Sequence, residues 1–114
     1  MCGRFTLYNK KKVADKIGFD IKPSYNIVPS HDILILTPKP TLFYWGLSPT
    51  WANKPMNLIN ARIETLKEKP AFKKTKPCIV VSNGWYEWKK LNNSEKIPFF
   101  IHDDNKIIYF AGVY

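Results

Sequence analysis

The stretch GWYEWKKLNNSEKIPFFIH, residues 84–102, is the part of the sequence that most clearly indicates a fold. Its two segments rich in aromatic and β-branched residues, 84–91 and 97–102, are separated by the polar residues 92–95. Such segments joined by a short polar turn predict a β-hairpin. A further hairpin is predicted from this one through the turn Asp103-Asp104-Asn105 into residues 106–114. The end of the chain is therefore expected to be β-structure.

Short strands dominate the rest of the chain as well. They are predicted at residues 3–7, 32–37, 41–47 and 78–81. A short helix is predicted from the N-cap Asn9 to a stop at Gly18, and residues 60–69 are predicted to be helical at their end, closed by Pro70. Residues 20–30, which include two prolines, are predicted to form an ordered loop.

This order of elements predicts one α+β domain. Many short strands with one or two helices indicate a β-rich domain of residues 1–114, built on a mixed, curled sheet with a few short helices. The apolar segment 107–114 is of a kind that seldom ends a domain. We therefore expect the domain to be incomplete at its C-terminus.

The composition excludes several classes of protein. A chain of 114 residues that is 45% hydrophobic can build a core, and no apolar run approaches the ~18 residues of a membrane span. Cys2 and Cys78 are too few for a disulfide framework, which favours a reducing, cytoplasmic compartment. No Cys or His cluster has the spacing of a metal site, and no cofactor is expected. A soluble, cytoplasmic monomer is the interpretation that fits best.

The charge indicates a polyanionic partner. The formal net charge is +9, and Lys and Arg clustered on one face attract phosphates. A Lys-rich surface without function would give the same charge. Yet of the 18 basic residues only Arg4 and Arg62 are Arg. Because the planar guanidinium binds phosphate with two parallel hydrogen bonds, these two positions are candidate phosphate-binding residues.

Cys2 is a candidate nucleophile because it follows the initiator Met1. Removal of Met1, by an aminopeptidase or by self-cleavage, would place an α-amine beside the thiol. Such a 1,2-aminothiol condenses with an aldehyde to an imine and closes to a thiazolidine ring. The α-amine has a pKa of about 7.7–8.0, so part of it is neutral near physiological pH. A small residue that merely follows the start codon is the simpler alternative.

Two further segments carry groups suited to catalysis. The segment NARIET, residues 60–65, places an amide, a guanidinium and a carboxylate close together, although it is also an ordinary helix start with an Arg–Glu pair. In the segment GWYEW, residues 84–88, strand alternation puts Glu87 on one face with Trp85. If that face is buried, Glu87 is suited to general acid/base catalysis. If it is not, Glu87 is a solvated strand residue.

Trp45 and Trp51 are candidate platforms for unstacked bases, which stack on aromatic side chains. Core packing is the alternative, and we expect it for at least one of the two. His31 is predicted to be a capping or surface residue, and His102 to lie at a strand end without a catalytic role. Cys78 is predicted to lie in the core.

Together these segments resemble the SOS response-associated peptidase family, the SRAP domain. The matching segments are MCGRF (1–5), YNIVP (25–29), WGLSPTW (45–51), NARIET (60–65), GWYEW (84–88) and FAGVY (110–114). They occur in the family's order and span the whole chain.

The resemblance implies a β-rich fold with a positively charged cleft for single-stranded DNA or a single-/double-strand junction. It implies self-removal of Met1 as a thiol peptidase, followed by a thiazolidine crosslink between Cys2 and the ring-opened sugar of an abasic site. It assigns Asn60 to positioning the amine and the sugar, and Glu87 to proton transfer. Arg4 and Arg62, singled out above from composition, are the two residues that it places at the phosphates beside the lesion. Localisation in the cytoplasm at the nucleoid follows.

The sequence departs from the family pattern at several places. The pattern continues beyond the segment matching 110–114 into a His-x-Arg-Met-Pro motif whose His joins the site, and neither His31 nor His102 matches it. Residues 77–83 lack the usual Arg, Pro and Asp, and Tyr44 replaces a frequent basic residue. Two alternatives to an abasic-site crosslinking enzyme therefore remain: a DNA-binding module without chemistry, and a thiol peptidase acting on other proteins.

Overall fold

The computed structural model describes residues 2–114 and contains two four-stranded sheets, one α-helix and two short 3-10 helices. The strands are β1 (Phe5–Leu7), β2 (Ser24–Ile27), β3 (Asp32–Leu36), β4 (Pro40–Tyr44), β5 (Pro77–Ser82), β6 (Gly84–Lys90), β7 (Lys96–His102) and β8 (Ile108–Val113). The helix α1 spans Lys10–Ile17, and the 3-10 helices span Ile63–Thr65 and Pro70–Phe72. The α+β class is confirmed. No helix among residues 2–114 is long and apolar enough to cross a membrane.

The strands form two antiparallel sheets in place of the mixed sheet expected from the sequence. One sheet has the order β2-β1-β6-β7 and the other the order β4-β3-β5-β8. All pairings between these strands are antiparallel. Both sheets join distant parts of the chain, since β1 pairs with β6 and β5 with β8. Local sequence patterns carry no information about such pairings, which explains the difference.

The helix α1 has the boundaries that its capping residues predict. The Asn9 side chain accepts a hydrogen bond from the Lys12 backbone N–H at 3.2 Å. Gly18 ends the helix in the left-handed conformation, with φ 74°, and its N–H donates to the Ala14 carbonyl at 3.0 Å. Val13 is fully buried. The helix therefore covers the core with one face.

Two local predictions were wrong. Residues 20–30, predicted as a loop, contain β2, because pairing with β1 satisfies the backbone between the two prolines. The end of segment 60–69, predicted to be helical, forms only the 3-10 turn Ile63–Thr65 and irregular turns. The start of this segment is held by the hydrogen bond from Asn60 to the Cys2 carbonyl, and Arg62 is extended, so the chain begins to turn only at Ile63.

The hairpin of β6 and β7 is confirmed, with Glu87 opposite Phe99. The second predicted hairpin is wrong, because β8 leaves β7 and pairs with β5 in the other sheet. That pairing is close: Gly112 lies opposite Cys78, and a Cβ at Gly112 would be 3.2 Å from the Cys78 Sγ. Cys78 is buried there, as expected from the sequence.

The core is formed by β1, α1, β3 and β5. Its buried residues are Phe5, Leu7, Val13, Ile21, Ile27, Ile33, Leu34, Ile35, Cys78 and Val81. Asn83, fully buried between β5 and β6, accepts hydrogen bonds from the backbone N–H groups of Tyr8 and Asn9 at 2.8 and 3.3 Å. This amide fixes the end of β1 against the start of β6.

Candidate functional site

Cys2 is held at two atoms just before β1. Its backbone carbonyl accepts a hydrogen bond from the Asn60 Nδ2 at 2.9 Å, and its Sγ donates to the Arg4 carbonyl at 3.3 Å. The residue is half-buried and packs against the core. The N-terminal segment therefore has a defined position at the edge of the domain. The expected removal of Met1 lies outside the described residues.

The segment that carries Asn60 is anchored by the sheet on its other side. Leu47 and Leu58 form an isolated antiparallel bridge, with backbone hydrogen bonds of 2.8 and 2.9 Å. The Trp45 indole N–H donates to the Ile59 carbonyl at 3.0 Å. These bonds bring the Asn60 amide to Cys2 in an extended segment. The structure thus brings together two of the residues that the sequence singled out.

Glu87 lies on β6, on the face that it shares with Trp85. The Trp85 indole N–H donates to the Glu87 Oε1 at 3.1 Å, and the Trp85 ring contacts Phe110 with centroids 5.5 Å apart. Glu87 is half-buried. The alternation predicted from the sequence is therefore present. Because the Tyr86 N–H donates to the Arg4 carbonyl at 3.0 Å, β6 runs beside the N-terminal segment and brings Glu87 toward Cys2.

The electrostatics of the site keep the Cys2 sulfur protonated. Burial raises the pKa of the Cys2 thiol, and the negative charge of Glu87 raises it further. The two groups are thus close enough to interact electrostatically. A thiol of this kind needs a proton acceptor before it can act as a nucleophile. Glu87 is the carboxylate that the fold supplies beside it.

An apolar cavity of about 830 Å³ opens beside Cys2. Cys2 and Asn60 line it together with Phe5, Trp45 and Phe110. Trp45 is part of its wall, with its ring 5.3 Å from that of Phe5 and its N–H bonded to Ile59. Of Trp45 and Trp51, Trp45 is therefore the one that packs against the core, as expected for at least one of them.

Arg4 makes a contact that its sequence neighbours do not indicate. Its guanidinium carbon lies 5.8 Å from the centroid of the Trp88 ring, a cation–π contact. Trp88 is half exposed, on the face of β6 opposite Glu87. Alternation along β6 was the available signal, but it does not reveal that β1 is the neighbouring strand. Arg4 is therefore oriented by an aromatic ring while it remains near the surface.

Arg62 and Trp51 lie at the surface, outside the walls of the cavity. Arg62 is exposed, and the two ion pairs among residues 2–114, Lys10–Asp20 and Lys106–Asp103, do not involve it. Trp51 is 59% exposed in the loop after Leu47. Cys2, Asn60 and Glu87 thus form one group, which Arg4 joins through its backbone carbonyl while its guanidinium lies over Trp88, whereas Arg62 and Trp51 stand apart. Over the same part of the chain, no three His, Cys, Asp or Glu side chains are placed to hold a metal ion.

Comparison with known proteins gives full-length matches to this chain. The sequence model described as SOS response associated peptidase (SRAP) matches residues 1–114. The abasic site processing protein YoaM of Bacillus subtilis (strain 168) is 38% identical, over 100% of this chain and 59% of that protein. The abasic site processing protein YedK of Escherichia coli (strain K12) is 32% identical, over 99% of this chain and 59% of that protein.

A solved structure has the same fold. The crystal structure of a protein from Bacteroides thetaiotaomicron superposes with a TM-score of 0.77 at 27% identity, covering 98% of this chain and 59% of that chain. The chain thus spans about three fifths of the length of the relatives that it matches.

Proposed function

The chain belongs to the SOS response associated peptidase (SRAP) family, and from this premise we propose that it captures abasic sites in single-stranded DNA through Cys2. The relatives named above are described as abasic site processing proteins. The observation that carries the proposal is the hydrogen bond from the Asn60 amide to the Cys2 carbonyl. It fixes the residue whose amine and thiol would react, beside a carboxylate and an open cavity.

The chemistry begins with hydrolysis of the Met1–Cys2 peptide bond, which consumes one water and frees the α-amine of Cys2. The amine adds to the aldehyde carbon of the ring-opened abasic sugar, and loss of one water leaves an imine. The Cys2 sulfur then adds to the imine carbon, and its proton goes to the nitrogen. A five-membered thiazolidine results, with both nucleophiles contributed by one residue.

Glu87 carries the proton in the ring-closing step of this reaction. The Cys2 thiol is protonated at neutral pH, since burial and the Glu87 charge raise its pKa. Glu87 accepts the thiol proton as the C–S bond forms and delivers it to the ring nitrogen. The hydrogen bond from Trp85 orients one carboxylate oxygen for this transfer. Asn60 keeps the Cys2 backbone, and with it the amine, in place.

The DNA strand is held by charge and stacking. Arg4, oriented over Trp88, and the exposed Arg62 bind the phosphates next to the lesion, and the exposed Trp51 offers a face for an unstacked base. The net charge of +9 adds a general attraction to the backbone. We place this activity in the cytoplasm, at the nucleoid. The chain does not form homo-oligomers in this proposal.

A denaturing gel tests the proposal. The protein is mixed with a single-stranded oligonucleotide that contains one abasic site, and SDS-resistant adduct is measured against time. We expect adduct with the unchanged chain and none with Cys2→Ala. Cys2→Ser keeps the amine but not the thiol, so it should give an adduct only after borohydride reduction of the imine. Intact mass should show the loss of one Met from the reactive protein.

Cys78→Ala is the matched control, because it removes the other thiol, which is buried in the wall of the same cavity opposite Gly112. It should leave adduct formation unchanged, apart from a loss of stability. An adduct that forms equally well with Cys2→Ala contradicts the mechanism. DNA binding without adduct in all four proteins would identify a binding module without chemistry.

A further inference from the structure

One side of β7 carries apolar residues that face the core side of the sheet but are not covered. Ile97, Phe99 and Ile101 alternate onto the same face as Glu87 and Trp85, which lie opposite Phe99 and Ile101 on β6. Trp85 packs inward against Phe110, yet Ile97, Phe99 and Ile101 are 42%, 49% and 36% exposed. An edge strand with apolar residues exposed on its inner face lacks a packing partner.

The size of the exposed surface indicates the same deficit independently. The structure exposes 8206 Å², whereas a compact monomer of this mass exposes roughly 6,500 Å². Its radius of gyration is 15.2 Å, against about 13 Å for a compact domain of this length. The excess of roughly 1,700 Å² is about twice the ~800 Å² that one partner buries in a standard protein–protein interface. An excess of this size is on the scale of a polypeptide interface and exceeds the site of a small molecule.

The uncovered side of β7 is continuous with the cavity beside Cys2. Ile101 lies opposite Trp85, Trp85 contacts Phe110, and Phe110 lines the cavity. We call this continuous surface, formed by Ile97, Phe99, Ile101, Trp85 and Phe110, the open face. Whatever covers the open face also closes one side of the cavity in which Cys2 lies.

We propose that the open face is the docking surface for a completing polypeptide, equivalent to the two fifths of the relatives' length that this chain does not match. Three observations favour this occupant: the apolar residues of β7, an excess area of interface size, and relatives that carry additional chain in the same protein. A second copy of this chain is a poor occupant. Lys89 shares this face opposite Ile97, the Lys90–Lys96 pair follows at the end of the hairpin, and each copy carries a net charge of +9, so two copies repel.

Coexpression tests this proposal without DNA. The 114-residue chain is coexpressed with the part of Bacillus subtilis YoaM that lies outside the matched region, and a tag on that part is used for purification. We expect a 1:1 complex by sedimentation, with slower hydrogen exchange along β7 and weaker fluorescence of a hydrophobic dye than for the chain alone. Because no step involves DNA or Cys2, failure here is distinct from failure of the abasic-site proposal.

Two neighbouring phenylalanines provide the matched variants. Phe99→Lys places a charge in the open face, whereas Phe100→Lys places it on the opposite face of the same strand. We expect Phe99→Lys to weaken the complex by roughly tenfold or more, as for a central interface residue, and Phe100→Lys to leave its affinity unchanged. Thermal unfolding of each variant alone establishes that it is folded. No complex, a complex equally sensitive to both variants, or a homodimer that buries β7 would overturn the proposal.

Discussion

The Asn60 Nδ2 donates a hydrogen bond to the Cys2 backbone carbonyl at 2.9 Å, between residues 58 positions apart in the sequence. This bond joins the N-terminal segment to a segment that is itself anchored to Trp45 and Leu47. Within residues 2–114, it is the hydrogen bond that ties Cys2 to a residue distant in sequence, in addition to its packing against the core.

Asn60→Ala and Asn60→Asp should therefore slow adduct formation without unfolding the protein. Neither side chain donates to the Cys2 carbonyl, and a hydrogen bond of this kind contributes about 0.5–1.5 kcal/mol, so we expect a roughly two- to tenfold slower rate. The rate is measured with the abasic oligonucleotide, and circular dichroism monitors the fold. An unchanged rate in both variants would show that the bond does not position Cys2 for reaction.

Glu87→Gln should increase the thiolate fraction of Cys2 and yet slow the capture of abasic sites. The negative charge of Glu87 raises the pKa of the Cys2 thiol, so its loss lowers that pKa and increases the thiolate fraction at a given pH below it. Alkylation of Cys2 by iodoacetamide, followed by mass spectrometry across a pH series, should show a midpoint above that of the unfolded chain, shifted downward in Glu87→Gln. Abasic-site capture should instead be roughly 100- to 10,000-fold slower, because Gln carries no proton between sulfur and nitrogen. Faster capture by the variant would contradict a role for Glu87 in proton transfer.

Arg4→Ala and Arg62→Ala should each weaken binding to single-stranded DNA more than Lys11→Ala does. Lys11 is the matched control because its neighbours have other roles, Lys10 in an ion pair with Asp20 and Lys12 in a hydrogen bond to the Asn105 carbonyl. Each lost phosphate contact should also reduce the slope of log K against log salt by about 1. Fluorescence anisotropy at several salt concentrations measures both quantities. Equal effects at all three positions would mean that only total charge matters.

Trp51→Ala and Trp45→Ala should separate binding from folding. Trp51 is exposed, so its loss should leave the melting temperature nearly unchanged and weaken single-strand binding by about 1–3 kcal/mol. Trp45 packs on Phe5 and bonds to Ile59, so Trp45→Ala should destabilise the fold by roughly 3 kcal/mol or more. Thermal unfolding measures the stability of each variant, and fluorescence anisotropy on the same samples measures its affinity for single-stranded DNA. A large stability loss in Trp51→Ala would remove it from the DNA-binding surface.

The helix α1 and the β6–β7 hairpin could be predicted because their signals are local. Asn9 and Gly18 mark both helix ends, and the polar turn at 92–95 joins two strands adjacent in sequence. The partner of β8 could not be predicted, since β5 precedes it by a whole hairpin. The 60–69 segment has helical composition, but hydrogen bonds from distant residues hold its start in an extended conformation.

In the candidate site, too, local features could be predicted from the sequence and long-range contacts could not. Strand alternation correctly paired Glu87 with Trp85 on one face, because it depends only on neighbours in sequence. The contact of Arg4 with Trp88 depends on β1 lying beside β6, which no local pattern encodes. Similarly, core packing and surface exposure for Trp45 and Trp51 were alternatives that only tertiary structure could distinguish.

The burial of Cys78 against β8 gives the protein an internal reporter of its own unfolding. Cys78 is buried opposite Gly112, so a maleimide should label its sulfur much more slowly than that of the half-buried Cys2, and faster once β5 and β8 separate. Labelling should therefore occur in two steps, one thiol per chain in the native protein and the second as denaturant opens the sheet. The dependence of the second step on urea concentration then yields the free energy of opening, and the first step counts the chains whose N-terminal thiol is still unreacted.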